Sequence, residues 1–123
     1  MFSERAESLA KEICKAGLNI KGDKLEKNKI SQIRKFYDEV LRFSDLLRAG
    51  EDYKSLLPYI KMLNAKAAYA EGRKLVTPEF KNFIKQSLDQ LTVNNSEAFE
   101  VFKSFFEAFM GYYKFEESKY KKD

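Results

Sequence analysis

The segment from Ser96 to Phe115, SEAFEVFKSFFEAFMGYYKF, carries far more aromatic surface than one helix needs to reach its own core. With each residue turned by ~100° along an α-helix, Phe99, Phe102, Phe106, Phe109 and Tyr113 fall on one stripe. Val101, Phe105, Ala108, Tyr112 and Phe115 fall on a second. Together the stripes span about 200°, twice the ~100° of an ordinary surface helix. Such a helix is either central within a bundle or carries a partner surface, because exposed aromatic patches of that size mark interfaces. Phe105, Phe106, Phe109, Tyr112 and Tyr113 are the candidate interface residues.

Helical period runs through the rest of the chain, and its two prolines and five glycines each lie near a helix end. A first helix is expected from Ser3 to Gly17, followed by a polar, Lys-rich stretch from Asn19 to Lys29 that suits a mobile arm as well as an ordered loop. A second helix starts around Asn28 or Ser31 and ends at Ala49 before Gly50. A third runs from Ser55 to about Lys74 with Pro58 in its first turn. Thr77 and Pro78 open a fourth that reaches Leu91. Asn95 or Ser96 caps a fifth, and residues 118–123 are expected to fray. The expectation is an all-α, compact bundle of about five helices forming a single domain over residues 1–123, with residues 1–27 as a semi-independent helix and linker. At 123 residues one core is enough.

Missing residue types restrict the chemistry. The chain has no His, hence neither the usual general base near neutral pH nor the commonest metal ligand. Cys14 is the only cysteine, so neither an intrachain disulfide nor a multi-cysteine zinc site can form, and its position on an apolar face reads as core. Gly17, Gly22, Gly50, Gly72 and Gly111 stand alone, which excludes a phosphate-binding glycine loop. The carboxylate pairs Asp38 and Glu39, Glu51 and Asp52, and Glu116 and Glu117 are adjacent, so on a helix they diverge by ~100° and cannot share a metal. The chain is therefore read as non-catalytic, with no cofactor and no metal. It contains no apolar run of about 18 residues and no signal-peptide core, which implies a cytoplasmic protein without a membrane partner.

Positive charge is concentrated in residues 28–76, where 10 Lys or Arg face 6 Asp or Glu. Within that region lies Ile60 to Arg73, IKMLNAKAAYAEGR. Leu56, Ile60, Leu63, Ala67 and Ala70 make its core face, and Tyr59, Met62, Lys66, Tyr69 and Arg73 share a neighbouring sector. Cations interleaved with rings suit phosphates and bases, although long Lys and Arg stems also cover apolar surface with their heads in water. Arg34 lies at the edge of the second helix's apolar arc, whereas Lys35 and Arg42 point away, within reach of Asp38 and Glu39. An RNA or DNA site built from Arg34, Lys61, Lys66, Arg73 and Lys74, with Tyr69 nearby, would work by phosphate neutralisation and be largely blind to sequence.

Three blocks in order, SQIRKFYDEV from Ser31, IKMLNAKAAYAEGR from Ile60 and FFEAFMGYYKF from Phe105, resemble the small subunit of type III-A CRISPR-Cas effector complexes, the Csm small-subunit family. The resemblance covers residues 28–115, and its most specific element is K-x4-K-x2-Y-x3-R from Lys61. The family often has a Tyr-His pair where this chain carries Tyr112 and Tyr113. The resemblance implies a non-catalytic, all-helical subunit that stacks in several copies as the inner filament of an RNA-guided complex. It implies contacts with the crRNA and target RNA backbone, with copies of itself, with the backbone subunit that carries the crRNA, and with the large polymerase-like subunit. Carried over to this chain, the RNA-binding positions are Arg34, Lys61, Lys66, Tyr69 and Arg73, with Lys35 and Lys74 as weaker matches. The competing class is an oligomeric helical adaptor that binds no nucleic acid.

Overall fold

A computed structural model describes residues 2–120. Six helices are present among them: α1 (Phe2–Ala16), α2 (Ile30–Arg48), α3 (Tyr53–Lys61), α4 (Leu63–Gly72), α5 (Pro78–Asp89) and α6 (Ser96–Glu117). The protein is all-α, and the count exceeds five because the expected third helix is broken at Met62. There the amide of Met62 turns back to the Tyr59 carbonyl, and the amides of Ala65 and Lys66 both reach the Met62 carbonyl. This tightened turn lets α3 pack on α2 while α4 packs on α5. Helix α3 also begins earlier than expected, because Asp52 caps it by accepting from the Ser55 amide at 3.2 Å. Pro58 therefore lies in the second turn, not the first, at an exposed position.

The aromatic surplus of α6 is explained by central burial. Phe99, Phe106, Phe109 and Tyr113 are fully buried and Phe102 nearly so. Phe83 of α5 packs its ring against Phe102, Phe105, Phe106 and Phe109, and Tyr37 of α2 lies on Phe106. The second stripe receives α1: Phe2 meets Phe105 edge-on at 5.3 Å, and the Ser3 hydroxyl bonds the Tyr112 hydroxyl at 2.6 Å. Ala6, Ala10, Ile13 and Cys14 of α1 belong to the same buried cluster as the α6 aromatics. As interface candidates, Phe106, Phe109 and Tyr113 are thus corrected: they are core residues, inaccessible to any partner. Val101 and Phe115 are the residues of the second stripe left open, each about 60% exposed.

Residues 19–29 form an ordered loop. Leu18 and Leu25 pair as an antiparallel bridge, and the amides of Glu26 and Lys27 both donate to the Gly17 carbonyl. The returning strand passes so close that a Cβ at Gly17 would lie 2.1 Å from the Lys27 carbonyl oxygen, which only glycine avoids. The loop ends at Asn28, fully buried with a left-handed φ of 57°. Its side-chain amide donates to the Ile13 carbonyl (2.9 Å) and to Thr77 Oγ1 (2.7 Å), and its oxygen accepts from the Thr77 amide (2.9 Å). Its own backbone amide reaches the Leu75 carbonyl, and its carbonyl accepts from the Tyr113 hydroxyl. Thr77, the expected cap of α5, makes no side-chain cap bond, because its hydroxyl is engaged by Asn28. At the start of α2, Lys29 offers no cap, and Glu117 from the end of α6 accepts from the Ile30 amide at 3.3 Å. That carboxylate also complements the positive end of the α2 dipole. Of the tail expected to fray, residues 121–123 lie outside the described residues.

Two outcomes follow from this packing. Asn28→Ala should cost about 3 kcal/mol or more in urea unfolding, because several buried groups lose their partners and the positive φ stays. Asn95→Ala, which removes only the exposed α6 cap on the Ala98 amide, should cost about 1 kcal/mol. Cys14 is 1% exposed, and its thiol is pushed up to about 11, first by burial and then by Glu116 and Glu117. A thiol-specific reagent at pH 8 should consequently label Cys14 only at the rate of unfolding, and adding denaturant should bring labelling to that of a free thiol. The raised value also means that the folded state loses stability as pH rises above the unfolded thiol's pKa toward 11, and loses none on this account at lower pH.

Candidate nucleic-acid interface

Helices α2 and α4 face each other across an open groove of about 470 Å³, floored by Phe36, Leu63, Ala70 and Leu75. Its walls carry Gln32, Lys35, Asp38 and Glu39 from α2, and Lys66, Tyr69 and Arg73 from the α4 side. The spacing follows from helix geometry: Gln32, Lys35, Phe36 and Glu39 repeat at i, i+3, i+4, i+7, as do Leu63, Lys66, Ala70 and Arg73 at i, i+3, i+7, i+10. Both helices turn a mixed apolar and charged face toward the same space.

Tyr69 is 67% exposed, and the Arg73 guanidinium lies over its ring at 5.7 Å from the centroid. The pair forms a flat cationic platform at the rim. Lys66 reaches across to Glu39, 3.4 Å away, and Glu39 also accepts from Arg42 Nε and Nη2 at 3.3 and 3.1 Å. Hydrogen bonding from Arg42, the largest cause, holds the Glu39 carboxyl below the usual carboxylate range, with Lys66 adding to it.

The structure brings together Lys35, Lys66, Tyr69 and Arg73 from the expected site and separates the others. Arg34 lies on another flank of α2, within electrostatic reach of the Tyr37 hydroxyl, whose pKa is raised by burial and by Glu107 of α6. Lys61 is turned away from the groove: its ammonium donates to the Leu88 carbonyl at 2.7 Å, which satisfies the C-terminal end of α5. Arg34 and Lys61 thus lie on surfaces other than the groove. Lys74 is exposed beside Arg73 in a left-handed turn with φ 63° and does not line the groove. Lys35, expected to point away, is a wall residue. Sequence reasoning missed Gln32 and the acidic part of the wall, although the period linking Gln32, Lys35, Phe36 and Glu39 was there to find.

Among the described residues, no three of His, Cys, Asp or Glu come close enough together to hold a metal, and no helix is long and apolar enough to cross a membrane. The arrangement presents three cations, one of them paired with Glu39, and an exposed Tyr69 ring of the kind on which a planar group can stack.

Neither a curated protein nor a solved structure matches the chain. A family model, Csm2 Type III-A, matches residues 2–119, which includes α1 and the loop that the three sequence blocks leave uncovered. The chain therefore belongs to the Csm2 Type III-A family and is a small structural subunit of a type III-A CRISPR-Cas Csm complex.

Proposed function

We propose that the α2–α4 groove carries the sugar-phosphate backbone of RNA, with the crRNA and its target as the strands held. The observation that supports this most is the convergence of Lys35, Lys66 and Arg73 beside the exposed ring of Tyr69 on one concave surface. Guide pairing supplies sequence selection in RNA-guided systems, so a subunit that follows the backbone needs cations and no base code. The contact is non-catalytic. An isolated subunit binds weakly and gains strength when several copies engage one strand.

The partners in this reading are copies of the same chain stacked as a filament, the subunit that carries the crRNA, and the large polymerase-like subunit. Surfaces left for them include Val101 and Phe115 on α6 and Tyr59 and Met62 around the bend, all more than half exposed. Phe105 and Tyr112 are partly covered by α1 and contribute only at the margin of such a surface.

Titration of single-stranded RNA at several salt concentrations tests the groove. With about −0.7 per phosphate neutralised, Lys35 and Arg73, which form no ion pair among the described residues, give a log–log slope of about −1.4 for the wild type, and Lys66→Ala with Arg73→Ala should flatten it to about −0.7. A slope unchanged by the double substitution would rule the groove out. Lys61→Ala should leave the slope intact but lower stability by about 1.5 kcal/mol, the worth of a charged hydrogen bond. For the assembly surface, Phe115→Glu is expected to weaken self-association in sedimentation while leaving the melting temperature unchanged.

A further inference from the structure

The lining of the groove is not uniformly positive. Lys35, Lys66 and Arg73 are opposed by Asp38 and Glu39. Glu39 is the better placed of the two carboxylates, because it is fixed from its own helix and reaches across. Arg42 grips it with two hydrogen bonds, and the Arg42 guanidinium is itself laid over the Phe43 ring at 4.5 Å. The remaining contact runs from Glu39 Oε1 to Lys66 Nζ, 3.4 Å away on the opposite wall. By contrast, Lys35 and Arg73 form no ion pair among the described residues.

We propose that Glu39 is a built-in counter-ion of the groove, a carboxylate standing where an RNA phosphate would sit against Lys66. The inference rests on the reading of the groove as an RNA surface. Binding at Lys66 then exchanges one anion for another and gains little, so net attraction comes from Lys35 and Arg73, which have no such partner. Only a polyanion that spans both of these cations at once displaces the carboxylate with profit. Isolated phosphates and short fragments do not. Glu39 thereby sets selectivity for an extended strand, and it restrains the free subunit from capturing RNA indiscriminately.

The test is a mutant cycle by fluorescence anisotropy on a labelled single-stranded RNA, comparing wild type, Glu39→Gln, Lys66→Ala and the double variant. An exposed pair of this kind predicts that Glu39→Gln tightens binding about 2- to 5-fold. The same change should steepen the salt slope by about 0.7 as Lys66 becomes free to release a counter-ion. Both effects should vanish in the Lys66→Ala background. Unchanged or weaker binding by Glu39→Gln overturns the proposal, and so does an equal gain without Lys66, which would show a general field effect. Should Glu39→Gln fail to fold, Glu39→Asp keeps the charge but draws it back from Lys66. That variant should give a smaller gain in the same direction, and a loss overturns the proposal. Wild-type binding indifferent to Lys66→Ala and Arg73→Ala would remove the groove reading together with this one. Sensitivity to those two with indifference to Glu39→Gln would remove the counter-ion alone.

Discussion

The bonds gathered at Asn28 hold this bundle in register. An asparagine amide supplies two donors and one acceptor in a plane, and its short side chain tolerates the left-handed backbone found there. Serine or threonine could not serve three directions at once. Through this residue the end of α1, the turn before α5 and the last turns of α6 are tied to the start of α2. Because all of these groups are buried, each bond is made in low dielectric, where leaving it unmade is costly.

The groove inherits its shape from that junction. Asn28 lies two residues before α2, the first wall, and its backbone amide bonds the carbonyl of Leu75, which follows α4 and lines the groove. The two walls are therefore joined at one end by this bond and bridged further along by Lys66 and Glu39. At the other end the direction of α4 is set by the bend at Met62. The cations on these walls are carried by helices that the core holds in place, so their arrangement is organised in advance.

Much of the architecture was legible in the sequence because it rests on local rules. The helical period, the Pro78 start and the doubled aromatic stripe of α6 all appear in the structure. What escaped was nonlocal. Nothing about Asn28 in a polar, Lys-rich stretch announces that residues 13, 75, 77 and 113 will close around it. Similarly, the choice between burial and exposure for α6 depended on whether α1 would cover its second stripe, a contact more than a hundred residues distant in sequence. At the site, helical spacing correctly grouped Lys66, Tyr69 and Arg73. It misplaced Lys35, since which side of α2 faces α4 is fixed by packing and not by period.

Lys61 carries one further consequence. It opens the basic pattern that ends at Arg73, yet its ammonium is spent inside the fold, clasping the end of α5 next to the bend. The pattern is thus composite: its first member governs shape and its later members govern charge. Replacing these residues one by one with alanine would therefore mix a change of shape at the first position with a change of charge at the others.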